Sequence, residues 1–188
     1  MTEYRFTTYR KMRLWINEML IHNIEPEKSL SQSFILPDTT EICLPKKSII
    51  LEMFFPRNCS YYGLLGVKYF TNNSNQVNVK VNIGNRNNKK YINSLSYNDN
   101  ELIVGLTEEY APAVLEKALL KIEELKIAGS FEFDIAVCDN VGSSIMVFRI
   151  ITGMLMELIA NDKFILSEEN INLLIRNETQ KSQYNTCK

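Results

Sequence analysis

The sequence predicts an α+β domain in which two helices lie on one face of a sheet. Val77, Val79, Val81 and Ile83 alternate with Asn78, Lys80 and Asn82, and Phe131, Phe133, Ile135 and Val137 alternate in the same way, which is the period of a half-buried strand. Two apolar stripes at helical spacing, near 110–126 and 143–160, each carry their own start signal.

From the start of the chain, Thr7 to Asn23 places Met12, Trp15, Ile16, Met19 and Leu20 on one helical face, with Arg10, Arg13, Asn17 and Glu18 elsewhere. An amphipathic helix is expected there. Pro26, Pro37 and Pro45 punctuate a polar connection, so residues 1–46 read as an N-terminal extension carrying that helix. Ile49 to Phe55 and Tyr61 to Phe70 are apolar, aromatic runs bounded by Pro56 and by Asn or Ser, the signature of strands. The Asn-rich stretch from Asn72 to Asn100 holds the alternating strand at Val77. Gly84-Asn85-Arg86-Asn87-Asn88 then supplies residues that tolerate positive φ, predicting a turn into a strand near Tyr91 to Leu95. Leu102 to Leu106 adds a further strand, and the whole reads as a β-meander.

Val114, Leu115, Ala118, Leu119, Ile122 and Leu125 form the stripe of a helix from Tyr110 to Lys126, with Gly129 as its stop. Ser143 or Ser144 caps the next helix, which reaches about Ala160. It is apolar nearly all round and must be buried on more than one side. Cover is expected from the N-terminal helix with Trp15 and Met19, or from a second copy of the chain. A weaker helix follows Ser167, and the chain from Gln180 reads as disordered. The central domain then spans 47–165 and a C-terminal segment 166–188.

With 188 residues, 45% of them hydrophobic and 23% charged, the composition is that of an ordinary globular protein with a sizeable core. Lys and Arg number 21 against 22 Asp and Glu, so no whole-molecule field steers the chain to polyanions and any such site is local. The N-terminus lacks the uninterrupted apolar run and small-residue cleavage site of a signal peptide, and Ile145 to Ala160 is broken by Arg149 and Glu157. A cytoplasmic location without membrane contact is expected. Cys43, Cys59, Cys138 and Cys187 are scattered, and His22 is the sole histidine, which supports neither a zinc site nor a disulfide framework.

Glu109, Tyr110, Pro112, Ala113 and Val114, then Ala128-Gly129, then Asp134 five residues after Gly129, then Ser143, Ser144, Phe148 and Arg149 follow one another at a characteristic spacing. Over about residues 77–158 this pattern resembles domain IV of elongation factor G and of the related ribosomal-protection GTPases, with Arg149 where the family has Lys. The resemblance implies a split β-α-β sandwich of the ribosomal-protein type, with two helices on one face of a mixed sheet, and a ribosome or structured RNA as partner. The chain departs from the pattern at Val104-Gly105-Leu106-Thr107 and at Gly142, and the loop Cys138-Asp139-Asn140-Val141 is shorter than the family's. Asn72-Asn73-Ser74-Asn75-Gln76 stands in for the Gly/Arg-rich tip loop. By that resemblance, contact with RNA or another partner is expected from Asn72, Asn73, Asn75 and Gln76 together with Asp139 and Asn140. Amides can donate to phosphate and base edges, whereas Asp139 repels phosphate.

Arg86, Lys89 and Lys90 form a basic hairpin end that could meet phosphate. No phosphate-cradling G-x-x-x-x-G-K-[ST] occurs, so nucleotide hydrolysis is excluded. Cys138 with His22 would make a thiol–imidazole pair, but its members lie in unrelated segments. Asp134 and Asp139 are an odd number of residues apart on one strand and are expected on opposite faces. No catalytic residue, metal or cofactor is expected. The chain reads as a noncatalytic binding module, either for the ribosome or RNA, or for protein partners, including a homo-oligomer through the apolar helix 145–160.

Overall fold

The computed structural model describes residues 4–6, 11–17, 24, 26–37, 44–55, 61–72, 74–85, 91–96 and 102–184. Among these, the elements run β1 (Tyr4–Phe6), β2 (Lys11–Ile16), β3 (Lys28–Ile35), β4 (Lys47–Phe55), β5 (Tyr61–Phe70), β6 (Gln76–Asn85), β7 (Leu102–Leu106), α1 (Ala111–Leu125), β8 (Gly129–Asp139), α2 (Ile145–Ala160) and α3 (Glu168–Tyr184). The strands form one sheet in the order β1-β2-β4-β5-β8-β7-β6-β3, with β8 also beside β6. That β6–β8 pairing is parallel, and the other described pairings are antiparallel. The class is therefore α+β with a mixed sheet.

β6 behaves as its alternation predicts. Val77, Val79, Val81 and Ile83 are buried in the core beneath the helices, while Asn78, Lys80 and Asn82 face the other way. β8 does not alternate throughout. Gly66 of β5 pairs with Ile135 and Lys68 with Glu132, so β8 holds one extra residue between them, a β-bulge. Phe131 and Phe133 join the helix-side core, whereas Ile135 and Val137 join a second cluster with Trp15, Ile50, Phe54 and Tyr62 on the opposite face. The bulge falls where β8 stops running parallel to β6 and begins its antiparallel pairing with β7.

α1 and α2 pack against each other on the same face of the sheet. Pro112 is tolerated in the first turn of α1, where its missing N–H has no intrahelical partner to lose. α1 ends at Lys126 as its stripe predicts, but the residue that stops it is Lys126 itself, left-handed with φ 55°, and not Gly129. Gly129 instead opens β8 at φ 134°, where a Cβ would sit 2.6 Å from the Tyr69 ring and 2.8 Å from the Phe70 carbonyl oxygen. Ser144 caps α2, its Oγ accepting from Val147 N at 3.4 Å. Gly63 lets α2 close on β5, since a Cβ there would meet Val147 and Ile151 side chains at 2.9 Å. α2 is covered by β4 and β5 below, by α1 beside it and by α3, whose Ile171, Leu174 and Ile175 complete the core. Of its residues Ile145 alone is largely exposed, so the all-round apolar pattern is accounted for within one chain.

Four further expectations are corrected. Lys11–Ile16 is a strand, not part of an amphipathic helix; Met12 and Leu14 point to the helices and Trp15 to the other face. Its apolar spacing fits both periods, and the open edge of β4 decides between them. Met19 and the rest of the expected helix beyond Asn17 lie outside the described residues. Residues 91–96 form no strand: they cross the second face irregularly, with Asn93 at φ 65°, and Tyr91 and Leu95 pack on its apolar cluster. The strand order is not a meander, because β8 and β7 stand between β5 and β6. Finally, Gln180 to Tyr184 continues α3.

Candidate functional site

The two loops expected together at one tip lie at opposite ends of the sheet. β5 runs antiparallel to β8, so Phe70 at its end faces Ser130 near the start of β8, and Val77 of β6 faces Gly129. The 71–75 loop therefore sits at the N-terminal end of β8, while Asn140 follows its C-terminal end. At roughly 3.3 Å per residue the strand separates them by roughly 30 Å. They form two surfaces, not one.

At the first, Asn72 Nδ2 donates to Gln76 O at 2.8 Å, Ser74 Oγ accepts from Gln76 N at 3.4 Å, and Leu36 N donates to Asn75 O at 2.9 Å. Backbone and Asn72 thus shape the loop, and Ser74, Asn75 and Gln76 are exposed. Asn73, Arg86, Lys89 and Lys90 lie outside the described residues. At the second, Asp139 is buried and committed to its own turn: Oδ1 accepts from Val141 N at 3.0 Å and Gly142 N at 3.1 Å, and Oδ2 from Ser96 Oγ at 3.1 Å. Ser143 Oγ accepts from Asp139 N and donates to Tyr62 O, both at 2.8 Å. What faces outward is Asn140, with Val141 (80% exposed) and Ile145 (44% exposed) beside it. Sequence reasoning passed over these two apolar residues, since nothing in their spacing separates them from core positions.

The ionisable groups that are buried are engaged inside the fold. On the helix side, Glu178 of α3 lies between Lys117 and Lys121 of α1, each Nζ 2.7 Å from one of its carboxylate oxygens. The Lys117 contact is one of charge and distance, without an aligned hydrogen bond. Lys121 also pairs with Glu157 of α2 and, at 3.2 Å, with Glu124, which Lys181 meets in turn. Burial works to lower the Lys121 pKa, but hydrogen bonds to Glu157 and Glu178 outweigh it and raise the pKa. Gly153 of α2 makes room for the cluster: a Cβ there would stand 2.0 Å from Glu178 Oε2. A cleft of about 220 Å³ beside it is lined by Glu157, Phe164, Leu174, Asn177, Glu178 and Lys181.

On the other face the carboxylate of Glu52 is wholly buried. Tyr62 OH donates to it at 3.0 Å, Leu95 N at 2.8 Å, Tyr91 OH at 3.4 Å and Arg13 Nη1 at 3.4 Å, and Arg13 also donates to Asn93 O. Burial raises the Glu52 pKa against the opposing pull of these donors, and burial beside Glu52 raises both tyrosines.

Asp134, expected to face away from Asp139, is turned by the bulge onto the same helix-free face, where it pairs with Lys68; burial raises its pKa and Lys68 opposes that. Asp139 instead bonds Ser96, so the two do not form a carboxylate pair. Cys138 is buried, its thiol donating to Gly105 O at 3.2 Å, and burial pushes its pKa up to about 12, the state of an inert thiol. Its suggested partner His22 lies outside the described residues. Among the described residues no three His, Cys, Asp or Glu side chains come together as metal ligands, and no helix is long and apolar enough to cross a membrane. Comparison with family models, with curated proteins and with solved structures finds no match to this chain.

Proposed function

We propose that this chain is a noncatalytic binding module that works through protein contact. The observation that carries the reading is the internal commitment of its buried chemistry. Glu52, Lys117, Lys121, Asp134, Asp139 and Glu178 are each tied to neighbours that fix a strand, turn or helix. Catalysis asks for a group poised towards an open site. The surface offers apolar side chains at Val141 and Ile145, and strand-edge backbone, which are means of binding protein.

A second reading keeps the translation-factor resemblance. The run β6-β7-α1-β8-α2, with β6 and β8 parallel and both helices on one face, is compatible with a split β-α-β domain, and the exposed amides of Asn75 and Gln76 are compatible with RNA contact. In that case the chain is a cytoplasmic, ribosome-associated module. Sedimentation from native lysate at low and high salt, with and without nuclease, separates the two. Association that survives both treatments is expected. Pelleting with ribosomes that is lost at high salt and weakened by Asn75→Ala with Gln76→Ala would replace protein contact by RNA contact.

A further inference from the structure

The two edges of the sheet differ. β1 has three residues, short enough to offer little to a neighbouring chain. β3 has eight, Lys28–Ile35, with no proline and one charge, Lys28, which pairs with Glu108. No described strand lies against its outer side. β3 therefore lacks the usual guards of an edge strand: shortness, charge and proline.

Leu36 N donates to Asn75 O, and the same register continues as Phe34 with Val77, Gln32 with Val79 and Leu30 with Val81. In an antiparallel ladder alternate residues bond the neighbour, so the even-numbered residues bond β6, and Ser29, Ser31, Ser33 and Ile35 turn N–H and C=O outward. On the helix side Leu30 and Phe34 are half-buried; on the other side Ser29, Ser31 and Ser33 are exposed, and Ile35 is 76% exposed.

We propose that β3 is the pairing edge of a homodimer, two copies joined β3 to β3, antiparallel, about a two-fold axis at Gln32. The inference rests on the protein-binding reading and supplies its partner. What points to a second copy is that the strand complements itself. Rotation about Gln32 sets Leu30 against the partner's Phe34 and Phe34 against the partner's Leu30, two aliphatic–aromatic cross-strand pairs on the face that already leads into the core. It sets Ser31 opposite the partner's Ser33 and Ser29 opposite the partner's Ile35, aligning the outward groups for about eight backbone hydrogen bonds. Lys28 falls opposite the partner's Leu36, so no like charges meet. Such an isologous contact closes on itself.

Sedimentation velocity of the full chain over a range of concentrations is the test. The natural chain is expected to dimerise reversibly. Ser31→Pro and Ser33→Pro remove outward N–H groups and block an incoming strand while leaving the bonds to β6, so both are expected to be monomers melting within a few degrees of the natural chain. Gln32→Pro, which loses a bond to β6, is expected to melt well below them. Should the proline variants misfold, charge replaces backbone as the probe. The Ser31→Lys/Ser33→Lys chain opposes lysines across the axis and is expected to dimerise at least tenfold more weakly. Mixing it with the Ser31→Glu/Ser33→Glu chain is expected to restore dimers as heterodimers. A natural chain that stays monomeric, or a dimer indifferent to both sets of variants, overturns the pairing. Loss of the pairing while nuclease-resistant association persists in lysate would remove this partner and leave the binding-module reading standing.

Discussion

On the helix side of the sheet, lysines and glutamates of three helices meet in near balance around Glu178; on the other side the carboxylate of Glu52 is held by two tyrosine hydroxyls, one backbone N–H and Arg13. Each fastens a segment to the sheet's core: Glu178 ties α3 to α1 and α2, and Glu52 ties residues 91–96 across the second face. The difference lies in what compensates the buried charge. Glu178 meets full opposite charges, so losing it takes from Lys117 its described carboxylate and from Lys121 the most buried of its three. Glu52 meets mostly dipoles, and burial still leaves its proton harder to remove than usual. Of the two, the helix-side cluster is the more costly to break, while the Glu52 side should respond more to pH.

The largest expected effect follows. Glu178→Ala leaves Lys117 and Lys121 without their shared partner at a buried position, which should cost about 3–5 kcal/mol in denaturant unfolding. Gly153→Ala reaches the same cluster from α2, pushing the Glu178 carboxylate aside, and should cost about 1–3 kcal/mol. The double variant should lose less than the two losses added, because once Glu178 is cut back the new methyl meets only the flexible end of Lys117, whose Cε it would approach to 2.8 Å. Strict additivity would mean that Gly153 is kept for some reason other than the carboxylate. If Glu178→Ala cost under about 1 kcal/mol, the lysines would be reaching water and the contrast between the two faces would fail.

Next comes the pH test. A carboxylate whose folded pKa is raised gives the folded state more protons than the unfolded state in the window above its ordinary value of 4.5. Stability carried by Glu52 is therefore greatest below that value and falls as pH rises through the window. Glu124, whose pKa is lowered by Lys181 and Lys121 against the effect of its own partial burial, has the opposite sign and loses its contribution as pH falls. Glu52→Gln keeps the shape and removes the titration, so the stability of the natural chain relative to this variant should decline from pH 4.5 upward. A flat or rising difference would show that Arg13 and the N–H outweigh burial, making the two centres alike in kind.

Both centres were hidden in the sequence, and for different reasons. Glu52 sits in the apolar run Ile49 to Phe55, where alternation marks a face but not which polar neighbours will cover it; its cover comes from residues 91–96, which β-propensity assigned to a strand. Lys117 and Lys121 lie off the apolar stripe of α1, where a helical period predicts water, because that period shows which residues face the sheet and says nothing of a third helix arriving from the C-terminal segment. Ile145 to Ala160 did announce burial on several sides; the missing information was that α3 supplies the cover. The strands at Ile49, Tyr61, Val77 and Leu102 and both principal helices were legible, since each satisfies its own period and boundary signals locally. The bulge in β8 was not, because Phe131, Phe133, Ile135 and Val137 alternate without fault; the slip is imposed by β5, β6 and β7 pairing with different parts of one strand. The same topology places the 71–75 loop and Asn140 at opposite ends, information that no local spacing holds.

Smaller effects test whether the helix-side cluster is independent of the ends of its helices. Ser144→Ala removes the N-cap of α2 and should cost about 1 kcal/mol, measured as a shift of the denaturant midpoint with unchanged slope. In the Glu178→Ala background the loss should be the same, since the cap lies at the far end of α2 from Glu157. A cap worth much less in that background would mean that α2 is already loosened along its length when the cluster is broken.

The smallest change is a gain. Lys126 holds φ 55° at the C-terminus of α1, a conformation that costs a side-chain-bearing residue of order 1 kcal/mol and costs glycine little. Its side chain is exposed, so Lys126→Gly removes strain without opening the core, although glycine gives part of the gain back through the freedom it has in the unfolded chain. A net stabilisation of about 0.5 kcal/mol is expected, read as a rise of about 1–2 °C in melting temperature for a chain of this size. The cluster begins at Lys121 and Glu124, within the last turns of the same helix, so this substitution also asks whether relaxing the helix end disturbs the ion pairs. If it does not, the gain persists in the Glu178→Ala background. A gain in the natural chain that vanishes there would show that the left-handed turn at Lys126 and the buried charges are set by one another.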